Sequence, residues 1–144
     1  TQGGLAYTDV RDIAALVDCA LEFKGEARGF MYGGPFLTHM ELHALLTKIT
    51  GRTLKAAKVP GLILRAVGRL FDTITALGGR PFRLTVEAAD VLTRSVPCED
   101  QPTIDALKFT PTSAEDSFRD LLLWMYQSGR LKREQVGAIA DLVD

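Results

Sequence analysis

His39 and His43 stand one helical turn apart, so on a helix both imidazoles can turn toward one metal ion. The intervening Glu41 makes the pattern His-x-Glu-x-His, which is neither the zincin spacing nor its inverse. Glu41 also completes a Thr38-x-x-Glu41 capping box, and no cysteine cluster offers further ligands, so no metal ligand is assigned. Ser113 and Ser117 lie at the start of a helical pattern with no histidine near them in sequence, which suits capping and solvation rather than nucleophilic catalysis. Arg80 and Arg83 flank Phe82, and two guanidinium forks beside a ring could grip a phosphate or carboxylate and stack on an aromatic group. Arginines ahead of a helix are also ordinary solvated residues, and both readings stay open for them.

These residues must be positioned by a chain whose apolar spacing is mostly helical. Tyr7-Thr8-Asp9-Val10-Arg11-Asp12-Ile13-Ala14 reads as a short strand entering a helix, with Asp9 or Asp12 as its cap. That helix runs from about 9 to 23, with Ile13, Leu16, Val17, Ala20 and Leu21 as its stripe. The glycine-bounded, aromatic stretch from Gly29 to Gly34 is expected to be a strand, followed by a helix over 38–50 that buries Leu42, Leu45, Leu46 and Ile49 and stops at Gly51. Leu54 to Val59 reads as another short strand. Pro60 opens a long helix carrying Ile63, Val67, Leu70, Phe71, Ile74 and Leu77, in which Gly68 signals close packing or a bend. Thr85 caps a helix to about Ser95, residues 97–102 read as loop, and a Thr112-x-x-Glu115 box launches a helix through Tyr126. Phe118, Leu121, Leu122 and Met125 are its inward set. A last helix is expected over 132–143, with Val136, Ile139, Ala140 and Val143 as its stripe. The fold class is therefore mainly α with two or three short strands.

Composition narrows the partners. At 144 residues, 47% hydrophobic and 24% charged, the chain suits one folded domain. Its 17 basic and 18 acidic residues leave a net charge of -1, which gives no general attraction to nucleic acid or to an anionic membrane. The most apolar stretch, 59–77, is interrupted by Arg65, Arg69 and Asp72 and falls short of a membrane span. Cys19 and Cys98 are too few for a disulfide framework and fit reduced packing thiols, so a cytoplasmic setting is expected.

The opening segment, Asp9-Val10-Arg11-Asp12-Ile13-Ala14, resembles the Asp-Val-Arg-Asp-hydrophobic-Ala segment of the extended short-chain dehydrogenase/reductases, the nicotinamide-dependent epimerases, dehydratases and dihydroflavonol-reductase-like enzymes. The order that follows is similar too. A strand like 29–34 leads to a helix like Leu37-Thr38-His39-Met40-Glu41-Leu42 ending in Thr50-Gly51-Arg52, and then to Val59-Pro60 and a long apolar helix. A closing Pro-x-Ser-x-Glu-x-Ser-x-x-Asp helix occupies 111–120, with Trp124 behind it. The match covers about residues 4–128. The link Ala106-Leu107-Lys108 is shorter than the family's helix and Leu-Gly turn, and the tail after Leu131 has no counterpart.

In that family this segment lies past the middle of the polypeptide, so the resemblance implies the C-terminal half of an extended Rossmann-type reductase: residues 1–130 as the substrate-binding half and 131–144 as a helical tail. The family holds its dinucleotide on a glycine-rich turn and moves a proton through a Tyr-x-x-x-Lys pair. Here the pairs Gly33-Gly34 and Gly78-Gly79 lack the further spaced glycine, while Tyr7, Tyr32 and Tyr126 are followed four residues later by Arg11, Phe36 and Arg130. The resemblance therefore implies NAD or NADP in a parent protein, no cofactor-binding or catalytic residue in this chain, and a missing N-terminal dinucleotide-binding half as partner. It makes Arg80, Phe82 and Arg83 candidate contacts to a small-molecule substrate, with Tyr7, Met31 and Tyr32 as candidate pocket walls beside their plain core-packing reading. Surfaces that would cover the missing half should be exposed and favour self-association. The competing class is a stand-alone helical module that binds a partner helix in an apolar groove.

Overall fold

The structure is a computed structural model that describes residues 3–55, 59–79 and 84–143. Its elements are β1 (Gly4–Ala6), α1 (Val10–Glu22), β2 (Phe36–Thr38), α2 (His39–Thr50), α3 (Gly61–Ala76), α4 (Val86–Thr93), α5 (Gln101–Leu107), α6 (Ala114–Gln127), α7 (Arg133–Val136) and a 3-10 turn over Gly137–Leu142. The fold is mainly helical with a small two-stranded sheet. β1 and β2 pair antiparallel, with Gly4 opposite Thr38 and Ala6 opposite Phe36, and Gly4 adds a single parallel bridge to Ser95 on its other side.

Capping sets several boundaries. Asp9, rather than Asp12, is the cap of α1 and accepts from the Arg11 amide. Thr38 and Glu41 form the expected reciprocal box at α2, and Gly51 ends that helix in the left-handed conformation. At α6 the cap is Ser113, which accepts from the Asp116 amide, and not Thr112. Thr112 is drawn away because its amide and hydroxyl both bind Asp12.

The stretch from Gly29 to Gly34 is not a strand. Its amides find side-chain partners instead of a ladder: Met31 N donates to Thr103 Oγ1, and Gly33 N and Gly34 N donate to the two oxygens of Asp100. Gly34 also has φ +76, and a Cβ there would meet the Tyr7 carbonyl, so the chain turns where a strand would continue. The strand falls just beyond, at Phe36–Thr38. Leu54, Lys55 and Val59 belong to no strand, and residues 56–58 lie outside the described residues. Where 97–102 reads as loop, α5 begins at Gln101, with Pro102 tolerated in a first turn that needs no amide donor.

Packing gathers in two places. Gly68 lets α3 meet the start of α4, since a Cβ there would lie 2.8 Å from Thr85 O, and Asp72 accepts from the Val86 amide while Arg65 holds Asp90 at 2.6 Å. The second cluster is built on Val136, Ile139 and Ala140, covered by Ile49, Leu122, Leu123, Tyr126 and Leu131 from α2, α6 and the chain before α7. The residues after Leu131 thus supply buried centre to this cluster, in a short helix and a 3-10 turn rather than one continuous helix, and Val143 is exposed.

The α1 stripe departs most from its pattern. Leu16 is buried, but Ile13, Val17 and Leu21 are 44%, 56% and 81% exposed, because the face of α1 that packs inward is centred on Asp12 and Leu16. Leu121 of α6 and Ile63, Leu70, Ile74 and Leu77 of the α3 region are exposed as well.

Candidate functional site

The segment around Asp9, Arg11 and Asp12 is a knot of polar contacts between elements far apart in sequence. Asp9 accepts from Arg11 Nη2 at 2.7 Å and from the Ser117 hydroxyl at 2.6 Å. Arg11 reaches on to Asp120 at 2.6 Å, so one guanidinium ties the start of α1 to the middle of α6. Asp12, only 3% exposed, accepts from the Tyr32 hydroxyl at 2.8 Å, the Thr112 hydroxyl at 2.6 Å and the Thr112 amide at 3.1 Å. It sits in the first turn of α1, where the helix dipole suits an acidic side chain.

Above the knot an open groove of about 610 Å³ runs between the start of α1 and α6. Tyr7, Val10, Phe118, Leu121 and Trp124 give it apolar walls, and Arg11 with Asp120 gives it an ionic rim. Tyr7 and Phe118 meet edge to face at 5.2 Å between centroids. A smaller hollow of about 230 Å³ lies against α1, where Ile13, Leu16 and Val17 face Phe30, Tyr32 and Leu107.

Electrostatics assign these groups to structure and not to proton transfer. Hydrogen bonds from Arg11, then from Ser117, hold the Asp9 carboxyl far below the usual aspartate range. A carboxylate so stabilised is a poor base, so the Ser117–Asp9 contact does not activate the hydroxyl. Burial, followed by the bond to Asp12, pushes the Tyr32 phenol well above its usual value, which removes it as an acid near neutrality. The Cys98 thiol is pushed up by its hydrogen bond to Asp100 and by burial, the reverse of an activated nucleophile.

Of the predicted site residues, Tyr7 lines the groove, Tyr32 lines the smaller hollow with its hydroxyl bound to Asp12, and Met31 is exposed. Arg80, Phe82 and Arg83 lie outside the described residues. His43 Nε2 is 2.9 Å from the Leu54 carbonyl, an acceptor only, so that nitrogen carries the proton and has no lone pair for a metal. His39 Nε2 is buried without a hydrogen-bond partner, and among the described residues no group of three or more metal-binding side chains is found.

The Gly33 and Gly34 amides, the best-placed anion donors by type, already hold the Asp100 carboxylate, whose charge opposes a pyrophosphate, and Gly78 and Gly79 follow α3 instead of opening a helix. Among the described residues no helix is long and apolar enough to cross a membrane. Trp124, Leu121 and Phe118 share a face of α6 at helical spacing, and that groove is the feature sequence reasoning missed. The spacing was visible, but the same stripe served equally for a buried core. Compared with protein-family models, curated proteins and solved structures, the chain matches none.

Proposed function

We propose that this chain is the substrate-side portion of an NAD(P)-dependent reductase, dehydratase or epimerase of the extended short-chain type, catalytically incomplete by itself. The observation that carries this reading is the convergence of the segments on which the resemblance rests. Asp9, Arg11 and Asp12 of the Asp-Val-Arg-Asp run bond to Ser117, Asp120 and Thr112 of the Pro-x-Ser-x-Glu helix region, 100 and more residues away, and Asp12 also holds Tyr32. Those residue types are explained together as one clasp that fixes α1 against α6. The exposed apolar stripe of α1 fits the same reading, because a helix with apolar residues on two faces is suited to lie between two layers.

On this reading NAD or NADP is held by a separate dinucleotide-binding half, the groove faces a small-molecule substrate, Arg80, Phe82 and Arg83 are candidate contacts to that substrate by residue type, and the two free cysteines suit a reducing, cytoplasmic setting. The competing reading, a helical module that binds a partner helix, draws on the same apolar groove. The coding region upstream of Thr1 separates them: it should encode a glycine-rich dinucleotide fold and a Tyr-x-x-x-Lys pair. The joined polypeptide should enhance NADH or NADPH fluorescence where this chain alone does not, and Arg80→Ala with Arg83→Ala should raise its KM. A stop codon or an unrelated domain upstream overturns the enzyme reading; unchanged kinetics removes the two arginines from the site.

A further inference from the structure

We infer that the outer face of α3 is a docking surface for an anionic lipid layer, with the helix lying along that layer. The inference does not rest on the enzyme reading. At 100° per residue, Leu62, Ile63, Leu70, Ile74 and Leu77 fall within about 120° of one another around the α3 axis. Gly68 stands opposite, on the side where α3 closes on Thr85 at the start of α4. The stripe therefore faces away from the helix pair, and Leu62 and Leu77 at its two ends are 78% and 84% exposed. From end to end it runs for about 22 Å.

Charge says what covers it. Seven of the chain's 17 basic residues fall between Arg52 and Arg83, against one of its 18 acidic residues, Asp72. The even overall balance thus hides a strongly positive stretch within a chain that is otherwise negative. Arg65 and Arg69 follow one border of the stripe and are exposed, and Lys55 is exposed ahead of the helix. Asp72 is turned inward, where it accepts from the Val86 amide. Asp90 of α4 holds Arg65 at 2.6 Å, which leaves Arg69 without an ion pair among the described residues. An aliphatic face with a basic border is the pattern of a helix that lies in a membrane interface, its apolar side at the acyl boundary and its guanidinium heads among the phosphates.

A lipid layer fits this face better than a macromolecule does. The stripe is wholly leucine and isoleucine, and leucine is under-represented among the anchors of protein interfaces, which favour Trp and Tyr seated in pockets. Neither hollow described above is lined by α3. A nucleic acid would engage the arginines and leave the aliphatic stripe in water. The helix lies on the layer and not through it, since its 16 residues rise about 24 Å, short of a hydrocarbon core about 30 Å thick.

Co-sedimentation of the chain with vesicles tests this. It should bind phosphatidylcholine vesicles containing about a third phosphatidylserine, more weakly as salt rises, and bind pure phosphatidylcholine at least about tenfold less tightly. Leu70→Glu, at an exposed position, should weaken binding to the anionic vesicles by at least about tenfold with unchanged circular dichroism. Arg69→Glu should weaken it about twentyfold, while Arg69→Lys should stay within about twofold, because an anionic surface reads charge rather than guanidinium geometry. Leu142→Glu, at a comparably exposed leucine in the 3-10 turn, should change nothing. Should Leu70→Glu alter the dichroism, Arg69→Glu decides alone. No binding to the anionic vesicles, equal binding to both lipids, indifference to Arg69→Glu or to a folded Leu70→Glu, or an equal loss in Leu142→Glu each overturns the proposal. Because no cofactor, substrate or upstream sequence enters the measurement, its failure is separate from failure of the enzyme reading.

Discussion

Asp12 is a buried carboxyl group whose partners are neutral: a phenol, a hydroxyl and a backbone amide. Removing it strands all three donors in a site that water scarcely reaches, and unmet donors are costlier than absent ones. Asp12→Ala should therefore destabilise by about 3 kcal/mol or more, and Tyr32→Phe, which removes one bond to the carboxyl, by about 2 kcal/mol, both read from urea unfolding. An absorbance titration should show one of the three tyrosines ionising well above the ordinary 10.0. Asp12→Asn should bring that tyrosine down only in part, since burial is the larger cause. Asp9 carries the acid dependence. Its folded value lies below the ordinary 3.8, so its contribution is fully present above 3.8 and is lost as pH falls through the folded value. The stability gap between wild type and Asp9→Asn should hold at neutral pH and close only in strong acid, as measured by denaturant unfolding across a pH series.

At the scale of elements, the residues after Leu131 matter more than their place at the chain's end suggests. Ile139 is 1% exposed at the centre of the cluster joining α2, α6 and the 3-10 turn, so Ile139→Ala should cost about 2–5 kcal/mol. Gly137→Ala should be as damaging, because φ is +58 and the added methyl would drive into the Thr50 carbonyl; thermal melts of both variants check this. The sequence made the helices legible wherever period and cap agreed: Asp9 before α1, Thr38 and Glu41 at α2, Thr85 at α4. It misled where a side chain from elsewhere took over. Asp100 claimed the Gly33 and Gly34 amides and removed a strand, and Asp12 claimed Thr112 and moved a cap by one residue. Periodicity also reports that a face is apolar without saying what covers it, which is why Ile13, Val17 and Leu21 read as core yet are exposed. The clasp itself was out of reach, since Asp12 and Thr112 are a hundred residues apart and nothing local links them.

For the whole molecule, the buried apolar residues among those described are few, Leu16, Ala89, Val136, Ile139 and Ala140, while many large ones line its surface. On the proposed reading the α1 and α6 faces are covered by a dinucleotide-binding half, and little other apolar burial opposes the entropy of ordering. Joining such a half to this chain should then raise the melting temperature followed by circular dichroism, because an intramolecular cover works at every protein concentration. A melting temperature left unchanged by the joined half would mean that the small core suffices on its own and that the exposed α1 face needs no cover.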